Sequence, residues 1–280
     1  MAILHDVHSM VGIIILLGNN INMKTLRIFE MALVAIIMGV SLTSCSKDEN
    51  PTGDKKLTKL VAVTPSGNEV GWIFTYDGNG KLNKAQFNDE WDGKTYSTAY
   101  QFSWNGNTVD AKIADGSDDA KYTFTLENGL IRSARMARNS YTENYSYTYF
   151  ADRLERIDIR QGEATNYTAA SWDGDKLVKI SNSYTGSSSA DEIITITYGE
   201  SCKKGYCPLI PEMIDESSPY TYLYMAHPEL IGVVTMQLPA TVTRTEHGRN
   251  DSYNVNYEFD KSGYISKITR NDVTLTLKWE

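Results

Sequence analysis

The sequence predicts an all-β fold, a large antiparallel meander of about 12 to 16 strands closed or nearly closed into a soluble barrel, with one short helical insertion. Three observations carry this reading. Val70, Trp72, Phe74 and Tyr76 alternate with smaller or polar residues and run into Asp77-Gly78-Asn79-Gly80, after which the chain leaves through Lys81-Leu82. Alternation with period two puts one face of a strand on a core, and Asp-Gly or Asn-Gly pairs tolerate the positive φ of a tight hairpin turn. An edited version of this hairpin then returns along the chain. Finally, 18 Tyr against 7 Phe and 7 Pro suit many half-buried strands, because a tyrosine ring is apolar on its body and wet at its tip.

Taken in order, the amino terminus comes first. Met23-Lys24-Thr25-Leu26-Arg27 is a short positive segment, Ile28 to Val40 is mostly apolar with one Glu30, and Leu42-Thr43-Ser44-Cys45 closes the run in small residues. The run is too short to span a bilayer and has the order of a secretory signal. It resembles a bacterial lipobox. That resemblance implies a diacylglycerol thioether on the Cys45 sulfur, cleavage before Cys45 and acylation of the freed amine, so that the partner is outer-membrane lipid. Two or more acyl chains make such attachment stable where one does not. Residues 1–22 fit nothing and read as a mis-assigned extension. Residues 23–44 are the signal and residues 45–56 a flexible polar tether. Ser46-Lys47-Asp48-Glu49-Asn50 also resembles the acidic export signal of surface lipoproteins of the Bacteroidetes type, which implies exposure on the cell surface. The chain carries 27 basic and 35 acidic residues, a net charge of −8, which gives no basic footprint for nucleic acid.

The globular domain is expected over residues 57–280. Leu57 to Thr64 opens it. The hairpin unit then recurs as Phe102-Ser103-Trp104 before Asn105-Gly106, Tyr122-Thr123-Phe124 before Asn128-Gly129, and Tyr145-Ser146-Tyr147-Thr148-Tyr149 before Ala151-Asp152. Trp172 precedes Asp173-Gly174, and Val255-Asn256-Tyr257-Glu258-Phe259 precedes Asp260 and Gly263. The alternation blurs after each turn, where Leu177, Val178 and Ile180 do not share a face, and a bulge just past the turn explains the slip. From about residue 199 to 238 the pattern breaks. This insertion, with four prolines and a short helix expected at Tyr220–Ala226 after Ser217-Ser218-Pro219, is expected to plug or cover one end of the sheet. Four more strands close the domain. The last places Val273, Leu275, Leu277 and Trp279 on one face. An aromatic carboxyl-terminal strand also suits a membrane-spanning barrel, but tight turns at both ends and a redundant lipid anchor favour the soluble form.

These motifs together, lipobox, tyrosine-rich hairpins, helical interruption with Ile231-Gly232 and Leu238-Pro239, and closing hairpins, resemble a lipoprotein family of unknown function from gut Bacteroidetes with a porin-like barrel fold. The resemblance implies a fold and an envelope location and supplies no catalytic residues. Eight strands leave an interior that side chains fill and sixteen leave a channel, so a lumen of intermediate size is filled by aromatics and the insertion, or it holds a ligand.

No catalytic residue, cofactor or metal site is assigned. Cys202 and Cys207 flank Lys-Lys-Gly-Tyr; in an oxidising compartment a disulfide closing this short loop is one reading, and a metal site with His227 or His247 is the other, weakened by the lack of a paired Cys-x-x-Cys. Both histidines stand in loop-like sequence and are expected in solvent. The acidic pairs Asp89-Glu90, Asp118-Asp119 and Asp191-Glu192 sit beside turn-like sequence and are expected as solvated turns. Trp72, Trp104 and Trp172 fall in strand alternation and belong to the core. Trp91, in Asn-Asp-Glu-Trp-Asp-Gly, is the candidate for stacking a glycan, the other ligand class considered being a small lipophilic molecule. A secreted glycan hydrolase with a site assembled from distant strands is the alternative function.

Overall fold

The computed structural model describes residues 55–63, 69–91, 94–116, 118–207, 209–210, 213–214, 218–271 and 273–280. Sixteen antiparallel strands form one closed barrel in which every strand pairs with its neighbours in sequence and β1 closes on β16. They are β1 (Leu57–Val63), β2 (Glu69–Tyr76), β3 (Leu82–Trp91), β4 (Lys94–Asn105), β5 (Thr108–Ile113), β6 (Lys121–Glu127), β7 (Leu130–Arg138) and β8 (Tyr141–Phe150). The second half holds β9 (Arg153–Gln161), β10 (Ala164–Asp173), β11 (Lys176–Ser183), β12 (Glu192–Ser201), β13 (Gln237–Glu246), β14 (Arg249–Phe259), β15 (Ile265–Arg270) and β16 (Val273–Trp279). The all-β meander expected from the sequence is the fold observed. Closure is sealed where the Lys56 N–H donates to the Glu280 carbonyl at 2.7 Å and the Glu280 N–H to the Lys56 carbonyl at 2.9 Å.

The bulges fall where the blurred alternation puts them. Tyr76 pairs with Leu82 but Thr75 with Lys84, so Asn83 is the extra residue. Arg132, Glu155, Val178 and Ser266 take the same place in four later hairpins. Each slip turns a leaving strand back into phase. Leu82 and Ala85 are both buried for this reason, as are Leu177 and Ile180.

The inward face is apolar and aromatic: Leu60, Val70, Phe74, Tyr100, Phe124, Ile157, Ile194 and Leu275 are all nearly inaccessible. The outward face is mainly hydroxylic, amide and charged, with Ile73 exposed on β2. Thr241, Thr243 and Thr245 on β13 bond the side chains of Asn254, Ser252 and Asn250 on β14, and Lys267 reaches Glu258 at 2.7 Å. A spanning barrel needs the reverse, an apolar outer band about 25 Å tall. No described helix is long and apolar enough to cross a membrane.

An even meander sorts its turns. One end of the barrel, here the base, holds the start of β1, the end of β16, the turns after even-numbered strands and the segment between β12 and β13. The other end, the crown, holds the turns after odd-numbered strands. Helix α1 (Tyr220–Ala226) lies in that segment and has the extent expected of it. Its capping differs. Pro219 itself occupies the N-cap position with no side-chain cap, because every residue of α1 is buried and tertiary contacts hold the short helix.

Candidate functional site

The described residues of the segment between β12 and β13 turn inward, and helix α1 occupies the barrel lumen. The Thr168 hydroxyl, midway along β10, donates to the Ile214 carbonyl at 3.0 Å. Tyr220 stacks on Tyr145 with ring centroids 4.3 Å apart and meets Phe124 and Tyr122 edge-on at 5.2 and 5.8 Å. Two residues on, Tyr222 meets Tyr100 at 5.7 Å, and Tyr100 in turn meets Tyr122 at 5.9 Å. One turn after Tyr220, the Tyr224 hydroxyl is hydrogen-bonded to that of Tyr147. The helix thus touches β4, β6 and β8, and only a helix apolar all round suits that place. Burial raises the phenols of Tyr100 and Tyr222, the latter to about 12, so they act as neutral packing groups.

His227 ends the helix at the base. The Leu82 N–H donates to Nε2 at 3.0 Å and Nδ1 contacts Glu229 Oε1 at 2.8 Å. A lone pair on Nε2 is required for the first bond, so the proton sits on Nδ1 and is donated to the carboxylate. The rings of Tyr76 and Trp104 enclose the imidazole edge-on. This corrects the expectation of a solvated histidine: His227 is 5% exposed. His227 and Glu229 bring a histidine and a carboxylate together, yet both ring nitrogens are committed, Nε2 to holding the segment to β3 through Leu82 and Nδ1 to Glu229 within the segment.

Around the base, aromatic side chains bond the backbone of the preceding strand. Tyr76 donates to the Leu57 carbonyl at 2.9 Å, Trp104 to Leu82 at 2.8 Å, Tyr149 to Ile131 at 2.6 Å and Trp172 to Leu154 at 2.7 Å. Tyr198 donates to Leu177 at 2.7 Å, Tyr257 to Pro239 at 2.8 Å and Trp279 to Ile265 at 2.7 Å. In six of these the accepting residue is the ladder partner of the aromatic two strands earlier, or of Trp279 for Leu57 or Leu126 for Ile131. Leu126 on β6 is the aliphatic interruption. The recurring aromatic before each turn was the signal for this ring, although a hairpin seen alone does not show the partner carbonyl.

The crown end of the lumen is polar. Glu143 accepts from the Tyr141 and Tyr145 hydroxyls at 2.5 and 3.1 Å. Glu192 accepts from Asn182 Nδ2 at 2.7 Å and the Tyr184 hydroxyl at 2.9 Å and pairs with Arg244. Arg270 lies over the Tyr253 ring and donates to its hydroxyl at 3.4 Å. Glu192, at 1% exposure, corrects the reading of Asp191-Glu192 as a solvated turn. Asp191 does cap the turn, accepting the Tyr184 and Thr185 N–H groups at 2.7 and 3.1 Å, and these bonds lower its pKa. Asp118 and Asp119 flank Arg138 at 3.0 and 3.9 Å.

The remaining sequence candidates do not converge. Cys45 and the signal lie outside the described residues. Trp91 ends β3 opposite Lys94 at the crown, and its side chain lies outside the described set. Cys202 and Cys207 are two separate buried thiols at the base. Burial pushes Cys202 up to about 11 and Cys207 higher still, which disfavours thiolates. His247 is exposed in the turn between β13 and β14. Among the described residues no group of three His, Cys, Asp or Glu side chains could hold a metal ion.

The same fold is found in Bacteroides. A porin-like protein from Bacteroides uniformis superposes with a TM-score of 0.63 at 12% identity, covering 82% of this chain and 99% of that one. A porin-like protein from Bacteroides vulgatus gives a TM-score of 0.56 at 15% identity, covering 81% and 99%. No protein-family model and no curated protein matches the chain. At these identities the likeness is one of fold.

Proposed function

We propose that this chain is a lipid-anchored protein of the outer membrane, exposed on the cell surface, that works as a non-conducting binding or structural barrel. The carrying observation is the inward-turned segment: a sixteen-stranded barrel would otherwise leave an aqueous channel, but here seven consecutive helical residues are buried inside it. A polar outer wall supports attachment by lipid rather than by spanning, and Cys45, ahead of a tether that leads to the base, supplies the lipid. The porin-like naming of the structural neighbours supports an envelope setting. The crown end of β3 at Trp91 is where a glycan would stack, and Trp91→Ala would abolish retardation in polysaccharide affinity gels. Mass spectrometry of the amino-terminal tryptic peptide Cys45–Lys47 tests the anchor. The expected result is a triacylated peptide from the membrane fraction, lost in Cys45→Ala. An unmodified amino terminus in the soluble fraction would overturn the anchor, and stepwise conductance in planar bilayers would overturn the non-conducting barrel.

A further inference from the structure

The two ends of the barrel differ in what they show to solvent. At the base, Phe150 closes β8 at 77% exposure and Met236 precedes β13 at 42%. Neither has a polar tip. The large exposed side chains toward the crown, Tyr96 and Tyr184, are tyrosines, and the Tyr184 hydroxyl is bonded to Glu192. The base also carries Lys55, Lys56, Lys81, Arg132 and Arg153, whose cationic heads lie 4.8 to 6.0 Å from the ring centroids of Tyr264, Tyr76, Trp104, Tyr149 and Trp172. Such pairing of amphipathic rings with long cationic side chains suits an interface between water and lipid headgroups. Acidic residues share the rim. Asp77 and Asp260 fold their carboxylates onto N–H groups of their own turns, and Glu127 and Glu280 pair with Arg132 and Lys278, whereas exposed Asp152, Asp173, Asp175 and Glu200 leave counter-charge there, so the apolar side chains contribute most of the attraction.

We infer that the barrel stands on a phospholipid surface on its base, with Phe150 and Met236 at the boundary between headgroups and acyl chains and the rim cations at phosphate level. The crown then faces away. Chain length agrees: Cys45 precedes Lys55 by ten residues, a reach of at most about 35 Å, and Lys55 lies on this rim, its N–H donating to the Tyr264 hydroxyl at 3.2 Å. The inference rests on the lipid-anchor reading for its cellular setting, but its test does not.

Mature chain, residues 45–280, is coupled through Cys45 to a maleimide lipid in vesicles of phosphatidylcholine and phosphatidylglycerol; Cys202 and Cys207 are buried and do not compete. Phe150→Trp and Tyr184→Trp place reporters at the two ends, and brominated lipid quenches whichever meets the bilayer. The expected result is that the emission added by Phe150→Trp is lost and that added by Tyr184→Trp is retained. Quenching at Tyr184→Trp alone, at both or at neither would overturn the inference. In untethered chain, Phe150→Ser combined with Met236→Ser, both at exposed positions, should weaken partition to the same vesicles roughly tenfold; unchanged partition would overturn it as well. An unacylated Cys45 in cells would remove the anchor and leave these results standing, because the tether used here is chemical.

Discussion

His227 joins the lumen segment to the barrel wall, and removing its ring isolates that joint. In His227→Ala the buried Leu82 N–H loses its acceptor, at a cost of about 1–3 kcal/mol for an unsatisfied buried group. Glu229, whose Oε1 takes the Nδ1 proton at 2.8 Å, loses its partner too. The vacated volume between the Tyr76 and Trp104 rings adds a cavity term of about 2 kcal/mol, smaller than for a wholly buried phenylalanine because the site lies near the rim. The total, about 4 kcal/mol, is a large share of the 5–15 kcal/mol that holds a typical domain together, and for a chain of this size it lowers Tm by about 10 °C. Urea unfolding measures the loss, and hydrogen exchange at the Leu82 amide locates it. Glu229→Gln in the His227→Ala background should cost much less than in the parent, since the two groups act as a pair. A loss below about 1 kcal/mol, with Leu82 still protected from exchange, would refute the view that this histidine ties the segment to β3.

Other consequences follow from single contacts. Gly232 stands at φ 62° with the Asp152 carbonyl where a Cβ would be, so Gly232→Ala should destabilise by about 3 kcal/mol or more in thermal unfolding, through both strain and overlap. Leu126→Tyr should supply the donor that β6 lacks in the base ring and raise stability by about 0.5–1.5 kcal/mol in urea titration. Asp191 has its pKa lowered first by the Tyr184 N–H bond and then by Thr185. A lowered folded-state pKa gives stability that is present above the ordinary value of 3.8 and is lost as pH falls through the folded value. Asp191→Asn should therefore flatten the stability profile below about pH 3.8 and leave its slope near neutrality unchanged.

Local chemistry was enough for much of this molecule. Turn residues and alternation mark the hairpins, the blurred strands after each turn mark the bulges at Asn83 and Val178, and the helix at Tyr220–Ala226 lies where the break in pattern places it. Some inward polar groups were also within reach, since Glu143 shares its parity with Tyr145 and Tyr147, and Glu192 with Ile194 and Ile196. Their turn-like neighbours concealed that parity. His227 carried no such signal, because its acceptor role depends on Leu82, 145 residues away.

What the chain determined by itself is therefore the repeating unit: strand, tight turn, bulge and strand, written in residues that lie next to one another and respond to their own backbone sterics. Tertiary structure alone decided that the units close at sixteen, which of the two expected fillings of the lumen, insertion or ligand, is realised, and that the base aromatics bond the preceding strand. Those outcomes depend on burying apolar surface between distant segments and on satisfying buried donors such as the Leu82 N–H, and groups far apart in sequence meet only when the barrel has closed.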